Sequence, residues 1–245
     1  MKPTKIVLVY QSVLGIYGDQ GNAKVLAKRL ERRGLPHELV SVEPGDAVPA
    51  DADIYLLGGG EDMAQISAVH ALQADGNIHA GLAAGAVLFA VCAGYQICGN
   101  TFTVGDRDEV VEGLGVLDVE TRRGPTRAVG EVLHAWTRPD GSTSLLTGFE
   151  NHGGHTTLGP AATPLATVEV GVGNDGRGTE GAYQARADGG HVIGTYPHGP
   201  VLVRNPDLAD HLLELATGTQ LEPLPMPELD ELRRQRIAAV RQPRR

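Results

Sequence analysis

The segment Ala86-Val-Leu-Phe-Ala-Val-Cys-Ala-Gly-Tyr-Gln96 joins a purely apolar stretch to a run of small residues that starts at Cys92. A short continuous apolar run is typical of a β-strand that is covered on both faces, as in a parallel sheet. A cysteine that follows such a strand and precedes a helix has the layout of a nucleophile elbow, which presents its sulfur at the carboxyl edge of the sheet. The helix N-terminus favours the thiolate of Cys92, although a free cysteine packed in the core is equally typical. Cys98 falls inside the predicted helix, so we expect it to be a core residue.

Strand and helix patterns alternate through the first ninety residues. Apolar runs predict strands at 5–10, 37–42, 54–57 and 86–91, and helical spacing predicts helices at 23–33 and about 62–83. This alternation predicts an α/β fold with a Rossmann-like, mostly parallel sheet and helices on both faces.

The middle of the chain has a different pattern and predicts an antiparallel, turn-rich section, with strands at 114–121, 130–137, 164–170 and 182–186. A buried strand at 191–196 and a helix at 206–217 follow, so we expect a single domain over residues 1–220. Residues 221–245 form a tail that is rich in proline and then in arginine, with six arginines and no acid from residue 232 onward. A short basic amphipathic helix and a frayed tail both fit this composition.

Composition and charge exclude several kinds of partner. The 245 residues carry 21 Lys+Arg against 30 Asp+Glu, a formal net charge of −9, and only 4% of them are aromatic. A nucleic-acid binder shows a basic face or stacking rings, so we expect no nucleic-acid partner.

Two cysteines do not make a disulfide framework, which indicates a reducing, cytoplasmic compartment. The uncharged stretch 76–105 is interrupted by glycines and polar residues, so we expect no transmembrane segment.

The elbow segment Cys92-Ala-Gly-Tyr-Gln96 resembles the C-G-G-Y-Q elbow of class I glutamine amidotransferases, in particular the cobyric acid synthase-like group. Four further stretches are similar to the GatD-type subfamily, the glutaminase subunits of lipid II isoglutaminyl synthase. They are Ile16-Tyr-Gly-Asp-Gln-Gly-Asn22, Leu57-Gly-Gly-Gly-Glu-Asp62, Phe149-Glu-Asn-His-Gly-Gly154 and Gly194-Thr-Tyr-Pro-His-Gly-Pro200. The resemblance is collinear and runs from about residue 5 to residue 217.

The resemblance implies a glutaminase with glutamine as nitrogen donor and a MurT-type, Mur-ligase-like partner in a heterodimer. The partner would hold ATP and Mg²⁺ and amidate the α-carboxyl of D-glutamate in the lipid II stem peptide, a step of peptidoglycan synthesis that supports cell shape. The chain itself would need no cofactor. Within the cytoplasm, the lipid-linked substrate would bring it to the inner face of the membrane.

Hydrolysis of an amide by a thiolate needs a proton shuttle and donors for the oxyanion. His198 follows the strand at 191–196, which brings it to the same sheet edge as Cys92, and the family motif selects it too. The oxyanion donors would be the backbone N–H of Ala93 and that of Gly59 or Gly60, although three glycines also suit an ordinary turn. His152 and His155 fall in a predicted glycine-rich turn without a third ligand nearby, so we expect no metal site.

The sequence departs from the wider family at two positions. The usual triad carries an acid two residues after the histidine, where this chain has Pro200, so a Cys–His dyad is expected from this chain. The missing carboxylate would come from the partner or from Asp19, in the loop after the first strand. Ala93 replaces the commoner glycine, which keeps the backbone N–H.

Arg127 is the candidate for binding the α-carboxylate of glutamine, because a guanidinium pairs bidentately with a carboxylate and the family alignment supports this position. Arg122 and Arg123 are rivals, and a solvated surface arginine is the plain alternative.

A phosphate-binding loop of the Walker A type is excluded, because all four lysines lie within the first 28 residues and none follows a glycine loop. A chain that frees ammonia without such a loop needs a partner to activate the acceptor. Two other functions stay open, namely glutaminase for corrinoid amidation and a non-catalytic regulatory module. A synthetase domain does not fit within 245 residues, which disfavours the first, and intact Cys92 and His198 disfavour the second.

Overall fold

The apolar runs of the sequence form the centre of a parallel sheet in the computed structural model, which describes residues 2–15 and 18–242. In chain order the elements are β1 (Thr4–Val9), α1 (Gln20–Glu31), β2 (His37–Val42), β3 (Ile54–Leu57), α2 (Asp62–Asp75), α3 (Asn77–Ala83), β4 (Val87–Val91), α4 (Ala93–Cys98), β5 (Thr101–Val104), β6 (Glu109–Glu112), β7 (Val119–Thr137), β8 (Thr143–Leu158), β9 (Ala166–Val170), β10 (Thr179–Glu180), β11 (Ala182–Ala185), β12 (His191–Thr195), α5 (Val201–Arg204), α6 (Pro206–Thr217) and α7 (Pro227–Arg241).

The main sheet has the strand order β11-β12-β4-β3-β1-β2, and every neighbouring pair except β11–β12 is parallel. All residues of β3 and β4 are buried, as their uninterrupted apolar sequences require. The prediction of an α/β fold with a mostly parallel sheet is confirmed. The carboxyl ends of β1, β3, β4 and β12 all lie at one edge, which is where ligands bind in such sheets.

A second, largely antiparallel sheet has the order β10-β9-β7-β5-β6, with β8 paired to β7. The antiparallel section is confirmed, but its predicted boundaries were partly wrong. Residues 114–118 of the strand expected at 114–121 are not in a strand, whereas 119–121 and the strand expected at 130–137 belong to the single long strand β7. The chain does not turn between them, because the sequence between Arg123 and Ala128 forms an irregularity in the ladder. The strand expected at 182–186 is β11, which pairs with β12 in the main sheet.

The placement of His152 and His155 in a glycine-rich turn was wrong, because both lie in β8. Of the two glycines between these histidines, Gly154 is required by close packing. A Cβ atom at Gly154 would lie 2.5 Å from Nε2 of Gln96 and 2.7 Å from Cγ2 of Thr121, so a larger residue would force the strand off the body of the protein.

The C-terminal part contains two helices. Helix α6 has the predicted bounds, with a proline in its first turn and Gly218 in the left-handed region at its end. Helix α7 occupies most of the arginine-rich tail, and none of its residues is buried. Ile16, Tyr17 and residues 243–245 of the tail lie outside the described residues. The division of the chain at residue 220 stays a prediction. No helix within 2–15 and 18–242 is long and apolar enough to cross a membrane.

Candidate active site

Cys92 occupies a strained turn between β4 and α4. Its backbone has φ 53° and ψ −106°, a region that residues with a Cβ atom seldom adopt and that costs about 1–3 kcal/mol. Neighbouring strands hold the turn in place, because the Cys92 N–H donates to the carbonyl of Thr195 at 2.9 Å and the Gly94 N–H donates to that of Gly58 at 3.0 Å. Strain that is maintained in this way is characteristic of a nucleophile elbow.

The small residues after Cys92 have different tolerances. A Cβ atom at Gly94 would lie 2.8 Å from both the carbonyl oxygen and the Cβ of Leu57, so only glycine fits. Ala93 carries its methyl group in a fully buried position. Cys98 is fully buried, and burial raises the pKa of its thiol, in keeping with its predicted place in the core.

His198 lies at the same edge of the sheet, in the turn after β12, and is 5% exposed. Its backbone forms a two-way bridge to β8: the His198 N–H donates to the carbonyl of Phe149 at 2.9 Å, and the Phe149 N–H donates back at 3.0 Å. The second sheet therefore fixes the backbone of His198 at the edge of the main sheet.

Asp19 lies beside His198 although the two are far apart in sequence. Its carboxylate is 2% exposed, Oδ2 accepts the Gly59 N–H at 2.8 Å, and Oδ1 is 3.7 Å from Nδ1 of His198. The start of helix α1, which Asp19 precedes directly, packs on the turn after His198, since a Cβ atom at Gly21 would be 2.2 Å from Cγ of Pro200. Pro200, which stands where the usual acid would be, thus contacts the helix turn next to Asp19.

The surroundings of His198 favour its charged form. Burial lowers the pKa of the ring, but its interactions with the Asp19 carboxylate and the Cys92 thiol outweigh burial and raise the pKa to about 9. At neutral pH the ring is therefore an imidazolium, and a histidine in this form next to a cysteine is typical of enzymes with a thiol nucleophile.

A cleft of about 670 Å³ opens beside Cys92, between the loop after β3 and the paired strands β7 and β8. Its wall includes Gln65 and Gln96 on one side and Arg127 and His152 on the other. This volume lies within the usual range of small-molecule sites and has room for an amino acid.

The three candidate arginines have different surroundings. Arg127 lines the cleft and donates to the neutral amide of Asn151 at 2.8 Å. Arg123 also lines the cleft, but it is paired with the carboxylate of Asp108 at 2.9 Å. Arg122 is paired with a glutamate of its own strand and does not line the cleft. Among these three, the environment of Arg127 leaves its charge most available to an anionic substrate.

The two glycine alternatives for the oxyanion hole are also distinguished. The Gly59 N–H is engaged by Asp19, whereas Gly60 lines the cleft together with Cys92. The Ala93 N–H belongs to the first turn of α4, where backbone N–H groups have no partner within the helix.

A buried polar network that the sequence reasoning did not assign forms the back of the cleft. Gln65 donates to Gln96 at 2.8 Å, Gln96 lies 3.4 Å from the Tyr196 hydroxyl, and that hydroxyl lies 2.6 Å from the one of Thr156. The ring of His152 stacks on that of Tyr196 with centroids 3.6 Å apart. Gln96 and Tyr196 lie within the quoted motifs, so their positions beside Cys92 and His198 were the available signal.

Glu180 fixes the end of β12 from the second sheet. Its carboxylate is fully buried and accepts the Thr195 hydroxyl and the Tyr196 N–H, both at 2.8 Å. A lone glutamate in a glycine-rich segment carries no sequence signal for such a role.

His152 of β8 has partners other than a metal. His152 Nδ1 donates to the carbonyl of Gly154 at 2.9 Å, and Nε2 lies 3.8 Å from the Glu150 carboxylate. Within the described part of the chain, no three His, Cys, Asp or Glu residues are grouped so as to hold a metal ion.

Comparison with known proteins identifies the family to which this architecture is similar. The family described as the CobB/CobQ-like glutamine amidotransferase domain matches residues 5–206. Subunit GatD of the glutamine-hydrolysing lipid II isoglutaminyl synthase of Staphylococcus aureus (strain N315) is 30% identical over 219 residues, which cover 89% of this chain and 86% of GatD. The cobyric acid synthase of Sphingopyxis alaskensis is 36% identical over 184 residues, which cover 72% of this chain but 34% of the synthase.

A solved structure of a glutamine amidotransferase has the same fold, with a TM-score of 0.56 and 20% sequence identity over 86% of this chain and 98% of the other.

Proposed function

The chain belongs to the CobB/CobQ-like glutamine amidotransferase family, and we propose that it is the glutaminase subunit of a two-protein amidotransferase that works through Cys92, His198 and Asp19. The observation that carries this proposal is the meeting of a strained cysteine elbow, a histidine with a raised pKa and a buried carboxylate beside one cleft.

The side-chain amide of glutamine is unreactive, so the site must supply a strong nucleophile and stabilise charge. The Cys92 thiolate attacks the δ-carbonyl carbon, and the electron pair of the C=O bond moves to oxygen, where the N–H groups of Ala93 and Gly60 stabilise it. The intermediate then collapses, the C–N bond breaks, and His198 gives its proton to the departing nitrogen. Ammonia leaves, and a glutamyl thioester remains on Cys92. Neutral His198 next takes a proton from water, which hydrolyses the thioester to glutamate and restores the starting pair.

Asp19 stabilises the imidazolium and fixes the ring so that Nε2 serves the reaction. A carboxylate in this position is the third member of a triad in other thiol and serine hydrolases. We had expected a dyad from this chain with the acid supplied by the partner or by Asp19, and the 3.7 Å approach supports Asp19.

Arg127 binds the α-carboxylate of glutamine, and the Gln65–Gln96 pair forms the neutral wall opposite. A guanidinium held by an amide keeps its full charge for the ligand, which supports the choice over Arg123.

The ammonia is passed to a MurT-type, Mur-ligase-like partner in a cytoplasmic heterodimer. That partner would bind ATP and Mg²⁺ and amidate the D-glutamate α-carboxyl of the lipid II stem peptide. Support comes from the GatD relative, which matches along 86% of its own length and is a subunit of lipid II isoglutaminyl synthase. The match to cobyric acid synthase spans about a third of that protein, which supports the glutaminase step and leaves corrinoid amidation as an outcome of the test.

The test compares two histidines at opposite ends of one strand. We expect His198→Asn to lower kcat for glutamine hydrolysis by about 10³-fold, the typical worth of a general acid–base group. His191→Asn is the matched control, because His191 starts β12 and its ring contacts Tyr183 at the other end of the sheet. Similar losses in both variants would overturn the assignment.

The partner is identified by purifying the chain from its native cells and asking which ligase accompanies it. The complex with His198→Asn should still amidate lipid II when ammonium chloride replaces glutamine. Amidation of a corrinoid and not of lipid II would overturn the proposed acceptor.

A further inference from the structure

The turn that carries His198 is enclosed by a closed ring of contacts, and the C-terminal helix is attached to that ring at two points. The ring begins with the two-way backbone bridge between His198 and Phe149 of β8. Phe149 lies directly opposite Glu131 in the β7–β8 ladder. One side of the histidine turn is thus tied to β7.

The other side of the ring is made by Arg204, the last residue of α5. Its guanidinium Nη1 lies 2.9 Å from Oε2 of Glu131, a pair that is about three quarters buried. Its side chain then folds back over the turn, since a Cβ atom at Gly199 would lie 2.9 Å from both Cδ and Nε of Arg204. Arg204 therefore covers the residue next to His198 and closes the ring.

Helix α7 reinforces the ring from outside. The Arg233 guanidinium donates from Nε to the carbonyl of Arg204 at 3.0 Å and also donates to the carbonyl of Leu145 at the start of β8. One turn further along the helix, Arg236 lies 3.6 Å from the second carboxylate oxygen of Glu131. Arg233 and Arg236 of α7 thus contact two members of the ring, Arg204 and Glu131, and strand β8.

The rest of α7 packs loosely. It has no buried residue, and a cavity of about 290 Å³ separates its last turns from β7, beside Glu131 and Arg236. An element with little buried apolar surface is held weakly and opens easily. Together with the pair between Arg241 and Glu169 of β9 at 2.9 Å, the arginine contacts to the ring therefore attach α7 to the protein.

We propose that Arg204 is a positioning residue for His198, and that Arg233 of helix α7 secures it, so that docking of the C-terminal helix sets the rate of the glutaminase reaction. This inference rests on the proposed function, because it assigns His198 a role in turnover. It also gives the arginine-rich tail a place in the reaction, acting through the protein instead of through a ligand.

The test measures glutamine hydrolysis by the full chain carrying Arg204→Ala or Arg233→Ala. We expect Arg204→Ala to lower kcat about tenfold and leave KM within twofold, since small displacements of a catalytic group cost up to about a hundredfold. Arg233→Ala should give a smaller loss of the same kind. Arg234→Ala is the matched control, because this neighbouring arginine pairs with Glu231 of the same helix and its side chain is 73% exposed. Its activity should equal that of the wild type.

A positioning role predicts a further change that simple destabilisation does not. The alkaline limb of the pH profile of kcat/KM should move to lower pH in Arg204→Ala, because His198 loses its close approach to Asp19. Arg204→Lys should restore part of kcat, since a lysine keeps the pairing with Glu131 but not the planar cover of Gly199.

The two proposals fail in different ways. Unchanged kcat and an unmoved alkaline limb in both Arg204→Ala and Arg233→Ala, with an active wild type, would overturn the positioning role alone. Equal losses in Arg233→Ala and Arg234→Ala would also overturn it. A wild-type chain that does not hydrolyse glutamine even with its partner would instead overturn the proposed function.

Discussion

Replacing Asp19 by asparagine tests the electrostatics of the site most sharply. Asparagine keeps an oxygen that can accept the Gly59 N–H, so the loop should hold its shape, but the negative charge 3.7 Å from the His198 ring is removed. At that separation, two unit charges interact by about 4 kcal/mol with an effective dielectric constant of about 20, which sets an upper bound.

The pKa of His198 provides a better guide to the magnitude. Burial lowers this pKa, but interactions with Asp19 and Cys92 together raise it from 6.5 to about 9. Loss of Asp19 removes one of these two causes and so lowers the pKa of His198. Each pKa unit lost is about 1.4 kcal/mol less stabilisation of the imidazolium that forms when His198 takes a proton from water, so kcat should fall by about tenfold per unit. KM should stay within twofold, because Asp19 does not line the cleft.

The sign of the pH effect follows from the same shift. A raised pKa means that His198 holds its proton up to about pH 9, so kcat/KM for wild type should fall as the pH rises through that value. In Asp19→Asn the fall should occur at a lower pH than in the wild type. The assay is glutamate release between pH 6 and pH 10, with the exposed Asp46→Asn as control. An unmoved alkaline limb and a kcat within twofold of wild type would refute the role of Asp19. If that result appeared only in the complex, the carboxylate would come from the partner.

Two further changes test the binding and the framework of the site. Arg127→Ala should raise KM for glutamine by at least tenfold and leave the ammonia-dependent reaction of the complex intact. Arg127→Lys should restore part of the binding, and Arg122→Ala is the control that should leave KM unchanged. An unchanged KM in Arg127→Ala would move the role to Arg123. Gly94→Ala should lower the free energy of unfolding by about 1–3 kcal/mol, measured by urea unfolding, because its Cβ would meet the backbone of Leu57. Gly153→Ala is the control, since a Cβ there meets nothing within 4 Å and should leave the stability unchanged. Equal stability of the two variants would contradict the packing at the elbow.

The parallel sheet was predictable because its strands are buried on both faces and read as uninterrupted apolar runs. Residues 54–57 and 86–91 identify β3 and β4 almost to the residue. The edge at which Cys92 and His198 meet then follows, since both come directly after strands that run in the same direction.

The second sheet was harder to predict because its strands are half exposed and rich in glycine. In β8, Gly154 is required by the close approach of Gln96 and not by a turn, and the sequence does not distinguish the two reasons. The irregularity between Arg123 and Ala128 likewise imitates a strand end. Local sequence patterns indicate which backbone conformation is intrinsically favourable. At these positions, however, contacts with residues that are distant in sequence determine the conformation.

The approach of Asp19 to His198 also depends on contacts between residues that are distant in sequence. The two residues are 179 positions apart, and what joins them is the packing of Gly21 on Pro200. Glu180, which holds the end of β12, has no motif around it at all. Residues that act through such long-range contacts cannot be assigned from spacing.

Covalent labelling tests the central claim most directly, since the account rests on Cys92 as the nucleophile that receives the glutamyl group. The full chain is treated with a chloroketone analogue of glutamine, with and without excess glutamine, and the modified peptide is located by mass spectrometry. The account predicts one adduct, on Cys92, that glutamine suppresses, while Cys98 stays unmodified in its buried position. Labelling of Cys98 at a comparable rate, or labelling of Cys92 that glutamine does not slow, would contradict it.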